Sequence, residues 1–101
     1  MIVKQQTSLS DLGDFVKVVV DLRRKILAAG CELHADCADE LLGNGSKKED
    51  LWGANVYTKD KRVDFVSLIN IRPHADNRSM EIQHPRIRKE VESIIRELIE
   101  L

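Results

Sequence analysis

The sequence has few of the residues that identify specialised small proteins. Its 101 residues include two cysteines, two prolines and only one Trp, one Tyr and two Phe. Two cysteines are too few for the dense disulfide framework of a small secreted domain. Their positions, Cys31 and Cys37, are also too far apart for a CxxC redox pair. Both are therefore predicted to be free thiols in a reducing compartment.

Long apolar segments and an excess of charge of one sign are also missing. No run approaches the roughly 20 apolar residues that cross a bilayer, and residues 1–6 lack the apolar core of a signal peptide. A formal net charge of -1 is wrong for a polybasic nucleic-acid coat. The remaining composition, 43% hydrophobic and 33% charged, is typical of a globular chain. We therefore expect a single cytoplasmic domain over residues 1–101, with no membrane segment.

Two segments show the spacing of apolar residues that is typical of helices. The first extends from about residue 9 to 29, with Ser8 as its N-cap and Gly30 as its end. The second begins at Pro85 and continues to the chain end. Apolar side chains recur every three or four residues in both, at Leu12, Phe15, Val19, Leu22 and Ile26 and at Ile87, Val91, Ile94, Leu98 and Leu101. Each segment is predicted to be a long amphipathic helix.

The residues between these helices predict a small antiparallel sheet. Residues 31–36 alternate apolar and polar side chains as a half-buried strand does, and a short helix through Leu42 follows. Residues 52–58 and 63–72 are predicted to form a hairpin around a short charged loop. Residues 74–84 form a polar segment with no period. The predicted fold is α+β, with about three antiparallel strands packed on one face by the two long amphipathic helices.

The hairpin register decides which residues are buried. A four-residue loop pairs Thr58 with Val63 and puts Trp52, Ala54 and Val56 on the core face with Phe65, Ser67 and Ile69. The opposite, exposed face then has Asn55, Tyr57, Asp64, Asn70 and Arg72.

Polar side chains are predicted to converge at one end of this exposed face. An acidic stretch, residues 31–50, would meet a basic stretch, residues 72–89, at the same place. Guanidinium groups bind phosphates and carboxylates through a planar fork of donors, and a histidine beside a carboxylate can transfer protons. The predicted ligand-binding residues are Glu32, His34, Asn70, Arg72, Asn77, Arg78 and Ser79. We expect them to bind a small anionic ligand, and the residues leave open whether the protein is an enzyme.

Several other interpretations of the same residues stay open. The same residues would also be ordinary on a solvent-exposed face of a sheet, where Asn77 and Ser79 would stabilise a turn. Glu32, His34, Asp36 and Cys37 are close metal donors, but no HExxH or paired CxxC occurs, so neither a metal nor a cofactor is predicted. Nucleic acid is an unlikely partner because the aromatic residues lie outside the basic stretch. The main alternative function is a homodimeric interaction module that uses a sheet edge or the last helix.

Three stretches also resemble a known family. They are Glu32-Leu33-His34-Ala35-Asp36, Glu49-Asp50-Leu51-Trp52-Gly53 and Ile69-Asn70-Ile71-Arg72-Pro73, the last followed by Asn77-Arg78-Ser79. Over nearly its full length the chain resembles a family of small prokaryotic proteins classed as a domain of unknown function. The resemblance implies a stand-alone prokaryotic domain and favours the same polar positions, but it implies no activity or cofactor. Asp76 stands where the family commonly has a glycine, so the turn at this point is expected to differ.

Overall fold

Two β-hairpins, each followed by a helix, make up most of the chain. The computed structural model describes residues 1–101. Its strands are β1 (Ile2–Val3), β2 (Thr7–Ser8), β3 (Phe15–Asp21), β4 (Ile26–Ala29), β5 (Leu51–Tyr57), β6 (Arg62–Asp64) and β7 (Ile99–Glu100). Its α-helices are α1 (His34–Gly43) and α2 (Pro85–Leu98), and short 3₁₀ turns lie at Ser10–Leu12, Lys48–Asp50, Leu68–Asn70 and Pro73–Ala75.

The main sheet has five antiparallel strands in the order β1-β4-β3-β5-β6, and β2 pairs with β7 in a separate parallel ribbon. The α+β class is confirmed, but the predicted number of three strands is too small. The predicted position of the helices is also wrong, because α1 and α2 cover opposite faces of the sheet. Neither helix has the length and apolar character that a membrane span requires.

The predicted helix over residues 9–29 is wrong, since β3 and β4 form a hairpin there. Four valines of β3, at positions 16, 18, 19 and 20, are all buried, because a helix covers each side of this central strand. A strand buried on both faces loses its alternating pattern, and its apolar residues then fit a helical spacing by chance. The run of β-branched residues was the sign of a strand. Ser8, the expected N-cap, lies in β2 instead.

The predicted strand over residues 31–36 is also wrong, because α1 begins within it at His34. The short helix that was expected next is confirmed and ends one residue later than predicted, at Gly43. The prediction of free thiols is wrong as well. The chain reverses direction between β4 and α1, which brings the Cα atoms of Cys31 and Cys37 to 5.7 Å, and the two residues form a disulfide.

The hairpin of β5 and β6 is confirmed, with a pairing that differs by two residues from the predicted one. Val56 pairs with Val63, whereas Thr58 was expected to do so. Because side chains alternate with a period of two, this shift leaves the residues of β5 and β6 on their predicted faces. Trp52, Ala54, Val56 and Phe65 accordingly lie in the core. The prediction that one of these faces is exposed is wrong, since α1 covers it and both Asn55 and Asn70 are buried. The second strand is much shorter than residues 63–72, since β6 ends at Asp64.

Each face of the sheet has its own core. On one face Val18, Val20 and Trp52 belong to a cluster of 17 buried residues to which α2 contributes Val91, Ile94, Ile95 and Leu98. On the other face α1 contributes Cys37 and Leu41 to a cluster of 6. The final amphipathic helix is confirmed from Pro85, but it ends at Leu98, where the chain turns extended and pairs with β2.

Candidate ligand-binding groove

A groove of about 960 Å³ lies between α1 and the segment of residues 68–75. Ala35, Ala38 and Leu42 form its helical wall, and their spacing of three and four residues places them on one side of α1. Leu68 and Ile71 lie on the opposite wall. We refer to this feature as the α1 groove.

Large apolar side chains stay exposed along both walls. Leu68 is 71% exposed, Ile71 44% and Leu42 39%. The opposite side of α1 is buried against the sheet through Cys37 and Leu41. A concave surface with exposed apolar side chains is typical of a ligand or partner site.

Arg72 supplies the main positive charge of the groove. Its guanidinium donates three hydrogen bonds, all to backbone carbonyls, of Ile69, Glu49 and Leu51. The guanidinium carbon also lies 4.4 Å from the centre of the Trp52 ring. No ion pair of the structure includes Arg72. Since a guanidinium has five N–H groups, two of them have no protein acceptor.

Burial makes this charge costly. Loss of solvent around the guanidinium lowers the pKa of Arg72, and the nearby carboxylate of Asp50 only partly opposes the shift. The other charged side chains of the groove are Lys48, Asp39 and Glu49, and the His74 ring also lines it. One wall lies within the acidic stretch of the sequence, whereas Arg72 is the one Arg or Lys of the basic stretch that lines the groove.

Asn70 holds the segment opposite α1 in place. This residue is fully buried, and its Oδ1 accepts a bond of 2.8 Å from the Gly53 N–H while its Nδ2 donates to the Gly53 carbonyl at 2.9 Å. Nδ2 also lies within 3.2 Å of the carbonyl oxygens of Phe65 and Met80. A Cβ atom on Gly53 would come within 2.5 Å of the Ser67 Cβ, so this close approach requires glycine. The side-chain amide of Asn70 therefore forms two hydrogen bonds with the backbone of β5 that a neighbouring strand would otherwise form.

Asn77 has a similar role in the turn that follows. Its Nδ2 donates to the carbonyls of Asn70, Ser79 and Glu81, and its Oδ1 accepts from the Gln83 N–H at 2.7 Å. The backbones of Asn77 and Arg72 also bond to each other. The structure thus brings Asn70, Arg72 and Asn77 together, as predicted, although the two amides face backbone groups.

The other predicted residues lie outside the groove. Ser79 Oγ accepts from the Glu81 N–H, and Arg78 is exposed, with Nε 4.0 Å from Asp76. The Glu32 side chain is exposed, and its backbone carbonyl accepts a bond of 2.7 Å from Lys17 Nζ. The structure therefore does not bring Glu32 next to Arg72.

His34 is the first residue of α1, and its environment is distinct. Its Nε2 lies 2.8 Å from the Ala54 carbonyl, which can only accept, so Nε2 carries the proton of the neutral ring. Burial lowers the pKa of His34 below its ordinary value, and the bond to Ala54 partly opposes this shift. The ring is therefore neutral at physiological pH.

Three polar residues beside His34 were not among the predicted site residues. Asp64 accepts from Asn55 Nδ2 at 2.7 Å and from the Tyr57 hydroxyl at 2.9 Å. The bond to Asp64 is the main cause that raises the pKa of Tyr57. The alternation along the β5–β6 hairpin predicted that Asn55, Tyr57 and Asp64 share one face of the sheet. This pattern was the signal that could have added them to the predicted site residues. The exposed Leu42, Leu68 and Ile71 had no such signal, since nothing in their spacing marks a groove.

The structure contains no group of three or more His, Cys, Asp or Glu side chains close enough to share a metal ion. Cys37, which was considered as a donor, belongs to the disulfide.

Comparison with known proteins gives one match. The model of a family described as Protein of unknown function (DUF5674) matches residues 2–98. No curated protein and no solved structure is similar enough to the chain to count as a match.

Proposed function

Because the chain belongs to this family of unknown function, we propose from its geometry that it binds a small ligand with an anionic group and an apolar body. The α1 groove is the proposed binding site. The observation behind the proposal is the Arg72 guanidinium, which is half-buried beside the groove and forms no ion pair. A phosphate or carboxylate would restore the electrostatic interaction that burial removes.

The apolar body of the ligand is proposed from the exposed walls. Leu42, Leu68 and Ile71 present apolar surface that an acyl or aryl group would remove from water. Lys48 and His74 lie in the same groove and add positive or polar contacts near the anionic group.

The predicted site residues have different roles in this proposal. Arg72 contacts the ligand, while Asn70 and Asn77 position the wall that contains Arg72. Asn70 and Asn77 do not line the groove themselves, and the remaining four residues, Glu32, His34, Arg78 and Ser79, are assigned neither a contact with the ligand nor a positioning role.

Calorimetric titration with octyl phosphate tests this proposal. Octanol has the same chain without the charge, and inorganic phosphate has the charge without the chain. We expect octyl phosphate to bind at least about tenfold more tightly than either control, since both halves of the site contribute. Equal binding of octanol, or no binding of octyl phosphate at millimolar concentration, would contradict the proposal.

A matched pair of variants locates the site. Leu68→Ser should weaken the binding of octyl phosphate about tenfold, because it removes apolar contact worth roughly 1.5 kcal/mol. Leu68 is so exposed that the substitution should leave the fold intact. Met80→Ser changes another exposed apolar residue, which lies outside the groove, and should leave the affinity unchanged.

A homodimeric interaction module is the second proposal, and the exposure of Leu68 favours it. The apolar side of α2 is buried in the core, and the edge strands β1 and β6 have only two and three residues. A second copy would therefore contact the α1 groove. Light scattering should then show a dimer that Leu68→Ser dissociates, and a monomer at high concentration would exclude it.

No reaction is proposed. The cytoplasmic location, the prokaryotic origin and the single-domain organisation stay predictions, and the disulfide removes the free thiols on which the first was partly based.

A further inference from the structure

The disulfide joins the loop after β4 to the first turns of α1. Cys37 is fully buried in the smaller core, whereas Cys31 is half-buried in a loop where Glu32 is exposed and Leu33 is 58% exposed. Of the two cysteines, Cys31 is thus the one with exposed surface, and it is the residue at which we expect an external thiol to attack.

The beginning of α1 has few other constraints. Leu33 occupies the N-cap position, and no side chain caps the first N–H groups of the helix. Only two side chains of α1, Cys37 and Leu41, are buried. A helix of ten residues is marginal on its own, so it depends on contacts such as these.

The same turns of α1 shape the groove. Ala35 and Ala38 line it, and both lie within one turn of Cys37. A change that loosens the beginning of α1 therefore moves one wall of the groove.

We propose that Cys31–Cys37 is a site of thiol–disulfide exchange whose redox state controls the order of α1. A dithiol reductant attacks with one thiolate at Cys31 Sγ, the bond between the two protein sulfurs breaks, and Cys37 leaves as a thiolate that takes up a proton. The second thiol of the reductant then attacks the mixed disulfide and releases Cys31. The protein gains two electrons and two protons, and the reductant becomes a disulfide.

Reduction removes the covalent link, so that α1 is then held to the sheet by the hydrogen bond of His34 to the Ala54 carbonyl and by the packing of Cys37 and Leu41. The wall of the groove then becomes mobile, and the proposed ligand binds more weakly. This last consequence rests on the proposed function, whereas the exchange reaction and the loosening of α1 do not.

Hydrogen exchange of the full chain, with and without dithiothreitol, tests the proposal. Thiol titration should find no free thiol before reduction and two after it. Amides of α1 should exchange about tenfold faster after reduction, while those of β3 and α2 change much less. Octyl phosphate should bind at least about threefold more weakly to the reduced protein.

The control variant is Cys31→Ser, which should exchange like the reduced protein and show no response to dithiothreitol. Free thiols before reduction, or equal protection of α1 in both states, would overturn the proposal. A uniform acceleration in all strands and helices would also overturn it, because α1 would then have no special dependence on the disulfide. If octyl phosphate binds neither state, the proposed function fails, and the exchange rates still decide the redox proposal.

Discussion

The two helices cover the sheet to different extents. On the α2 side 17 buried residues form the core, and four of them come from the helix. On the α1 side the buried cluster has 6 residues, and α1 contributes two of them. Both helices follow a hairpin and pack on the same strands, so the difference lies in how much of each helix is buried.

We connect this difference with the proposed function, because α2 mainly stabilises the core whereas α1 leaves apolar surface exposed. The apolar residues of α2 are buried in the core. Charged side chains occupy its outer side, where Arg96 forms an ion pair with Glu92. The apolar residues of α1 are divided, since Leu41 faces the sheet and Leu42 faces the groove. A helix with two apolar sides and one partner leaves surface for a ligand.

Matched truncations in the two cores should show the largest effect. Ile95→Ala should lower the free energy of unfolding by about 4 kcal/mol, and Leu41→Ala by about 2 to 3 kcal/mol, because α1 can shift to fill the space. Both side chains are fully buried, so their exposure does not account for the difference. Urea unfolding measures both values. Equal losses would show that the two sides of the sheet are equally rigid.

The wall opposite α1 should respond strongly to a change of one atom. Asn70→Asp replaces the Nδ2 donor by an oxygen that faces three carbonyl oxygens, so we expect a loss of about 3 kcal/mol in the free energy of unfolding. The control is Asn44→Asp, because Asn44 is exposed and its side chain uses only its oxygen, toward Arg24. That control should change stability by less than about 0.5 kcal/mol. Similar losses in both variants would show that Asn70 does not hold the wall.

The smallest expected effect concerns His34 and pH. Because burial lowers the pKa of His34 in the folded protein below 6.5, the unfolded chain binds the proton more readily. Stability is therefore retained above about pH 6.5 and falls as the pH drops from there toward the folded pKa. His34→Gln keeps a donor near the Ala54 carbonyl and cannot titrate, so the stability difference between wild type and variant should change over this range.

A shorter variant separates the hydrogen bond from the titration. His34→Asn cannot titrate either, and its amide is too short to reach Ala54, so it should be less stable than His34→Gln by about 1 kcal/mol at pH 8. Parallel pH profiles for wild type and His34→Gln would refute a lowered pKa.

The helix α2 could be predicted from the sequence because one of its sides is exposed to water. In α2 the residues Val91, Ile94 and Leu98 face the core while charged residues face out, so the helical period is visible. The strand β5 is buried on both faces, but the small or polar residues Gly53 and Asn55 alternate with Trp52, Ala54 and Val56, so a period of two is still visible. The error of two residues in its pairing left these faces correct. The strand β3 was missed because both of its sides are buried, which removes the contrast on which a period depends.

The proximity of three predicted polar residues could be predicted from the sequence, but their hydrogen-bond partners could not. Asn70, Arg72 and Asn77 do lie together, because they share one short segment that returns along β5. An asparagine that binds backbone groups and one that binds a ligand look alike in a sequence. Gly53 was the available signal, since a glycine inside a strand marks a close approach of other atoms.

The pairing of side chains with β5 has a consequence for association between chains. The strand β6 pairs only with residues 55–57 of β5. Without other partners, the preceding residues of β5 would have free backbone N–H and carbonyl groups at the edge of the sheet. An exposed sheet edge of this kind can pair with strands of neighbouring molecules, which leads to aggregation. The Asn70 amide occupies the N–H and carbonyl of Gly53, and Arg72 occupies the carbonyl of Leu51. These two side chains thus bond backbone groups of β5 to which another strand could otherwise pair, and they do so without lengthening the sheet.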